Sequence, residues 1–128
     1  MNWMTYYFCK NPSLKARIVE ELQSMFLDNR NGSETISYTK LQQLSLLESA
    51  ELECLRLHPP IGYAMPRDTP LNGAVICGVY IPGGVAVGVP AATIGRNAGV
   101  YPNPERWDPD RWMGGTADLT TMKTAFLG

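Results

Sequence analysis

One ten-residue stretch constrains this chain more than any other: Glu51-Leu52-Glu53-Cys54-Leu55-Arg56-Leu57-His58-Pro59-Pro60. Leu47, Ala50, Cys54 and Leu57 recur at helical spacing and predict a buried stripe. Glu53 and Arg56 stand three residues apart, which puts both side chains on one helix face. Pro59-Pro60 ends the helix, because a residue before proline is pushed out of the α region. Taken alone, Glu-x-x-Arg fits a solvated surface pair of roughly 0.2–0.5 kcal/mol. Beside an apolar stripe at a helix end, it also fits a partly buried ion pair.

A second basic cluster, Trp107-Asp108-Pro109-Asp110-Arg111-Trp112, sits in a stretch without periodicity. Arg111 is a candidate second guanidinium for Glu53, since one carboxylate has lone pairs enough for two arginines. Pro104-Glu105-Arg106-Trp107 is a near copy of Pro109-Asp110-Arg111-Trp112, so Arg106 is the fallback.

With Leu55-Arg56-Leu57-His58-Pro59-Pro60 following Glu53, and Pro109-Asp110-Arg111-Trp112 after it, the chain resembles a piece of a cytochrome P450, the heme-thiolate monooxygenase family. Glu53 and Arg56 match the family's Glu-x-x-Arg motif on its helix K. Residues 109–112 match its Pro-Glu-Arg-Phe-type motif, with Asp for Glu and Trp for Phe, and the longer pattern around them favours Arg111 over Arg106. The resemblance covers nearly the whole chain. It implies an α+β, mainly helical fold over 1–128 as a partial domain: the end of helix I, helix J, helix K, a small β-hairpin and a meander loop. It implies that Glu53, Arg56 and Arg111 form a triad supporting the cofactor site. It places Arg67, in Pro66-Arg67-Asp68, where a heme propionate is bound, although a solvated loop arginine reads equally well. Arg96 stands where the family often has His-Arg; Gly95 replaces that His and puts a propionate role in doubt.

The residues between the motifs give a coarse layout. Residues 3–9 are apolar and aromatic and read as a helix tail, and Asn11-Pro12 starts a new helix through an N-cap and a proline at the first position, so helix is expected over 3–27. Leu14, Ile18, Leu22, Met25 and Phe26 share one face, with Lys15, Glu20 and Gln23 facing out. Residues 29–33 read as a turn-rich loop. Helix is expected again over 38–57, with Ser45 as the cap of its main part. A β-hairpin is expected over about 74–90: Val75–Ile81 as one strand, Pro82-Gly83-Gly84 as the turn, and Val85, Val87 and Val89 as a half-buried second strand. Residues 98–115 form a long loop anchored by Trp107 and Trp112.

Composition narrows the partners. The 128 residues carry a net charge of −1, which argues against broad binding to nucleic acid or anionic membrane. The three cysteines are far apart, with no Cys-x-x-Cys, so neither a zinc site nor a disulfide framework is indicated; Cys9, Cys54 and Cys77 all read as packing residues. The lone histidine, His58, reads as structural. No apolar run approaches the roughly 20 residues that span a bilayer, and the start lacks signal-peptide features. An intracellular setting is the expectation; full-length relatives are often anchored in the endoplasmic-reticulum membrane.

The implied activity is insertion of one oxygen atom from O₂ into a small organic substrate, with heme b as cofactor and NADPH-cytochrome P450 reductase as electron donor. The hairpin and the Asp-Pro-Asp-Arg-Trp ending suggest a filamentous fungus and secondary metabolism. The family's heme loop, Phe-x-x-Gly-x-Arg-x-Cys-x-Gly, is expected just after Gly128, and none of the cysteines aligns with the axial ligand. As a truncated fragment, the chain is therefore expected to carry no catalytic residue or metal ligand, not to bind heme stably, and to be inactive alone. Two other classes fit the residues: a non-catalytic remnant, and a small interaction module that docks on an oxygenase or its reductase.

Overall fold

The computed structural model describes residues 3–28, 38–114 and 118–127. The loop expected at residues 29–33 lies outside them. The chain is α+β and mainly helical. Helices α1 (Trp3–Lys10), α2 (Pro12–Asp28), α3 (Tyr38–Leu41) and α4 (Ser45–Leu57) come first. Strands β1 (Arg67–Asp68), β2 (Ala74–Ile76), β3 (Val79–Ile81) and β4 (Ala86–Val87) follow, then α5 (Ala91–Ile94), a 3-10 helix (Pro109–Met113) and α6 (Leu119–Ala125).

Helix α4 is the axis of the packing. On one side Leu46 and Ala50 meet Leu14 and Ile18 of α2, with Phe8, Leu22, Leu47 and Trp107 around them. On the other, Tyr101, Trp112 and Met122 form a second core, flanked by Leu52, Val100, Leu119 and Phe126. Asn11 separates α1 from α2, and its side-chain amide donates to the Tyr7 carbonyl at 2.9 Å, closing the end of α1.

The start of α4 departs from the expected Ser45 cap. Leu44 occupies the cap position and Ser45 is already helical. The Glu21 carboxylate reaches over from α2 instead, where Oε1 accepts from Ser45 Oγ and from the Leu46 backbone N–H, each at 3.4 Å. A carboxylate at a helix N-terminus satisfies open donors and complements the helix dipole.

The single hairpin expected over 74–90 is corrected. Strands β2 and β3 pair with each other, in the register Ala74–Ile81, Val75–Tyr80 and Ile76–Val79. The turn is Cys77-Gly78, with φ of 50° and 79°. Positive φ at both central residues gives the twist that a two-residue hairpin loop needs. The apolar run Val75–Ile81 therefore folds back on itself rather than forming one strand. β4 pairs with β1, Arg67 opposite Val87 and Asp68 opposite Ala86, and a bridge from Ala64 to Pro90 extends the ladder. Thr69 ties the two hairpins: its hydroxyl donates to the Pro82 carbonyl at 2.5 Å and accepts from the Val85 N–H at 3.1 Å.

Two of the three cysteines are not packing residues. Cys9 and Cys77 are exposed, Cys77 because it occupies the turn; Cys54 is buried on the α4 stripe.

Candidate functional site

The site is built on one carboxylate. Glu53 lies on the α4 face that meets the loop 98–114, and nothing of it reaches solvent. Its Oε1 accepts from Arg56 Nη2 at 2.8 Å, the Asp108 backbone N–H at 2.9 Å and Arg111 Nε at 3.0 Å. Its Oε2 accepts from Arg56 Nε at 2.9 Å and from Trp112 Nε1 at 2.9 Å. A charge this deeply buried is tolerated only when paired and hydrogen-bonded on all sides, and Glu53 meets both conditions.

Arg56 uses every N–H it has. Beyond its two bonds to Glu53, Nη1 donates to the carbonyls of Gly95 at 2.5 Å and Pro104 at 2.7 Å. Nη2 also donates to the Arg106 carbonyl at 3.2 Å. Its guanidinium lies 5.2 Å from the ring centre of Tyr101, a cation–π contact. Arg111 adds bonds to the Pro102 carbonyl at 2.9 Å and the Arg106 carbonyl at 3.3 Å. The two arginines thus pin a stretch of backbone with no periodicity of its own, and they explain why it is ordered.

The structure brings Glu53, Arg56 and Arg111 together. The fallback, Arg106, contributes its carbonyl; its guanidinium is exposed beside Asp108. Arg67 is not part of the cluster. It is exposed on β1 and donates to the Pro66 carbonyl at 3.0 Å. Arg96 serves the end of α4, donating to the Leu57 carbonyl at 2.8 Å, and pairs with Glu105 at 3.4 Å. Gly95 leaves no room for the side chain that it replaces: a Cβ there would lie 2.5 Å from the Arg56 carbonyl oxygen.

An aromatic clasp closes over the end of α4. His58 stacks on Trp3 with ring centres 3.7 Å apart, and its Nε2 lies 2.9 Å from the Tyr7 hydroxyl. Tyr7 stacks on Trp107 at 4.6 Å. Burial, and then the charges of Arg96 and Arg56, hold the His58 imidazole below its usual pKa. Burial pushes the Tyr7 hydroxyl up. It also pushes the Cys54 thiol up, partly offset by the Trp107 indole, so Cys54 stays a neutral packing group.

Periodicity missed three parts of this site: Trp112 as a donor, the Asp108 N–H, and the carbonyls of residues 95, 102, 104 and 106. Only Trp112 left a trace in the sequence, as the Trp that stands where the motif has Phe and brings an N–H with it. Among the described residues no group of three or more His, Cys, Asp or Glu could hold a metal ion, and no helix is long and apolar enough to cross a membrane.

The chain is similar to fungal oxygenases. It is 31% identical over 125 residues to a cytochrome P450 monooxygenase of Aspergillus niger, covering 98% of this chain and 24% of that protein. It is 38% identical over 109 residues to a cytochrome P450 monooxygenase of Penicillium aethiopicum, covering 84% and 21%. It is 35% identical over 109 residues to the fusicoccadiene 8-ol C-16-hydroxylase of Phomopsis amygdali, covering 85% and 20%. The chain thus spans about a fifth to a quarter of the length of these relatives. The sequence model of the cytochrome P450 family matches residues 1–128, the whole chain. By that match, this chain belongs to the cytochrome P450 family.

Proposed function

We propose that this chain is the structural heart of a heme-dependent monooxygenase. The whole protein would insert one oxygen atom from O₂ into a small organic substrate of secondary metabolism and take its electrons from an NADPH-dependent reductase. The observation that carries the reading is the Glu53 carboxylate: fully buried, and held by two guanidiniums, one backbone N–H and one indole N–H. None of these groups transfers a proton or attacks a substrate. They join α4 to the loop that follows, and a joint this rigid preorganises whatever rests on it.

The residues present fit a heme at one point. Arg67 presents a solvent-facing guanidinium whose described hydrogen bond takes a single N–H, and a planar fork of donors suits a propionate carboxylate. Bound heme supplies the oxygen chemistry; Arg67 would hold and orient one of its carboxylates. Cys54, buried and neutral, is a packing residue in this reading and not the axial ligand.

The test is heme retention in the protein that carries this chain. Arg56→Lys keeps the charge and loses the fork, so at a bidentate site it is not a conservative change. Heme content and the thiolate signature in the carbon monoxide difference spectrum should both fall sharply. Full retention of both would overturn the reading. Arg67→Ala should weaken heme retention without unfolding the protein.

A further inference from the structure

We infer that Trp112 is a positioning residue through its indole N–H, acting as the donor that completes the Glu53 cluster. The inference rests on the reading of Glu53 as the organising centre. Of the five hydrogen bonds on the carboxylate, three fall on Oε1 and two on Oε2. Those on Oε2 come from Arg56 Nε at 2.9 Å and Trp112 Nε1 at 2.9 Å. Without the indole, Oε2 keeps only Arg56, in a place where no water reaches it.

The indole itself is held between two rings. Trp112 is 6% exposed, Tyr101 lies 6.1 Å away and tilted, and Phe126 meets it edge-on at 5.4 Å. The Tyr101 hydroxyl donates to the Met122 carbonyl at 2.9 Å, which anchors that wall of the pocket. Trp112 is adjacent to Arg111 on the 3-10 helix, so the indole and the guanidinium reach the same carboxylate from neighbouring positions. Phenylalanine would fill most of this space and donate nothing. Trp107 offers the contrast: its Nε1 is buried with no oxygen or nitrogen acceptor among the described residues, and what it faces is the neutral thiol of Cys54. The same side chain, five positions earlier, serves by packing and stacking and meets no charged acceptor.

A tryptophan analogue with sulfur in place of the indole N–H keeps shape and packing and removes only the donor. Placed at position 112 in the full protein, it should raise the unfolding equilibrium constant about ten- to a hundredfold, the range for losing a hydrogen bond to a charged group. It should lower the thiolate signature of the carbon monoxide difference spectrum in step. Trp112→Phe should do at least as much. The same analogue at position 107 should change little. If the analogue at 112 behaves as tryptophan while Trp112→Phe does not, Trp112 acts by packing and the inference is overturned. A measurement on the unaltered protein guards against variants that do not fold. With nitrogen-15 in the indoles, the Trp112 N–H should resonate downfield of the Trp107 N–H and exchange more slowly with solvent; the reverse order overturns the inference. Arg56→Lys in parallel separates the two levels: if it leaves stability and spectrum unchanged, the Glu53 reading itself fails, whatever happens at 112.

Discussion

Arg56 and Arg17 show how differently two ion pairs of one chain are placed. Arg56 and Glu53 are sealed from water, whereas the side chains of Arg17 and Asp110 are 50% and 57% exposed around a 3.1 Å pair. Arg56→Ala leaves Glu53 underpaired and removes the donor from three backbone carbonyls. It should destabilise the protein by about 3–5 kcal/mol. Arg17→Ala should cost no more than about 1 kcal/mol, and less at high salt, because water and ions screen that pair. Urea unfolding of both variants at two ionic strengths decides the matter; equal losses would mean that burial does not rank these pairs. The Glu53–Arg56 relation was legible in the sequence, since helix geometry fixes which side chains three apart share a face. The carbonyls that Arg56 binds were not, since they belong to a loop whose path no local pattern encodes.

Elements with a period announced themselves and elements held by single contacts did not. The mainly helical class was legible from apolar spacing along α2 and α4, although the buried leucine at the start of α4 is Leu46, with the expected Leu47 only partly buried beside it. The pairing of the short strands was not. Val75–Ile81 is apolar throughout, and only the backbone angles at Cys77 and Gly78 show that it turns. Gly78 isolates that term, because a Cβ there would meet nothing within 4 Å. Gly78→Ala should therefore cost about 1–2 kcal/mol from the left-handed conformation alone. Protection of the β2–β3 amides from hydrogen exchange would report it; unchanged protection would place the turn elsewhere. The capping of α4 from another helix was equally hidden, because Glu21 and Ser45 are far apart in sequence. Glu21→Ala should cost about 1 kcal/mol, typical of a lost cap, read as a lower thermal midpoint. Glu21→Gln, which keeps the acceptor oxygen, should recover much of that.

At the scale of the molecule, α1 is held to the end of α4 by the Trp3–His58–Tyr7 clasp, and that makes part of the stability depend on pH. The folded His58 sits below its ordinary value of 6.5, so between the two values the unfolded chain binds more protons. Stability then rises with pH: the contribution is complete above about 6.5 and is lost as pH falls through the folded value. His58→Gln should flatten the pH dependence of unfolding in that acid window, and an unchanged slope would remove His58 from the account. Arg56 of the Glu53 cluster and Arg96 have a joint consequence for how this protein can change. Arg56 holds Gly95, 39 positions away, and Arg96 holds Leu57, also 39 positions away. Everything between, including both hairpins, is a loop stapled at its base. The entropy of closing a loop grows only with the logarithm of its length, so doubling that excursion would cost about 0.6 kcal/mol. Length and sequence in the hairpins can therefore drift widely while the base stays fixed, so the same staple can carry many differently shaped surfaces.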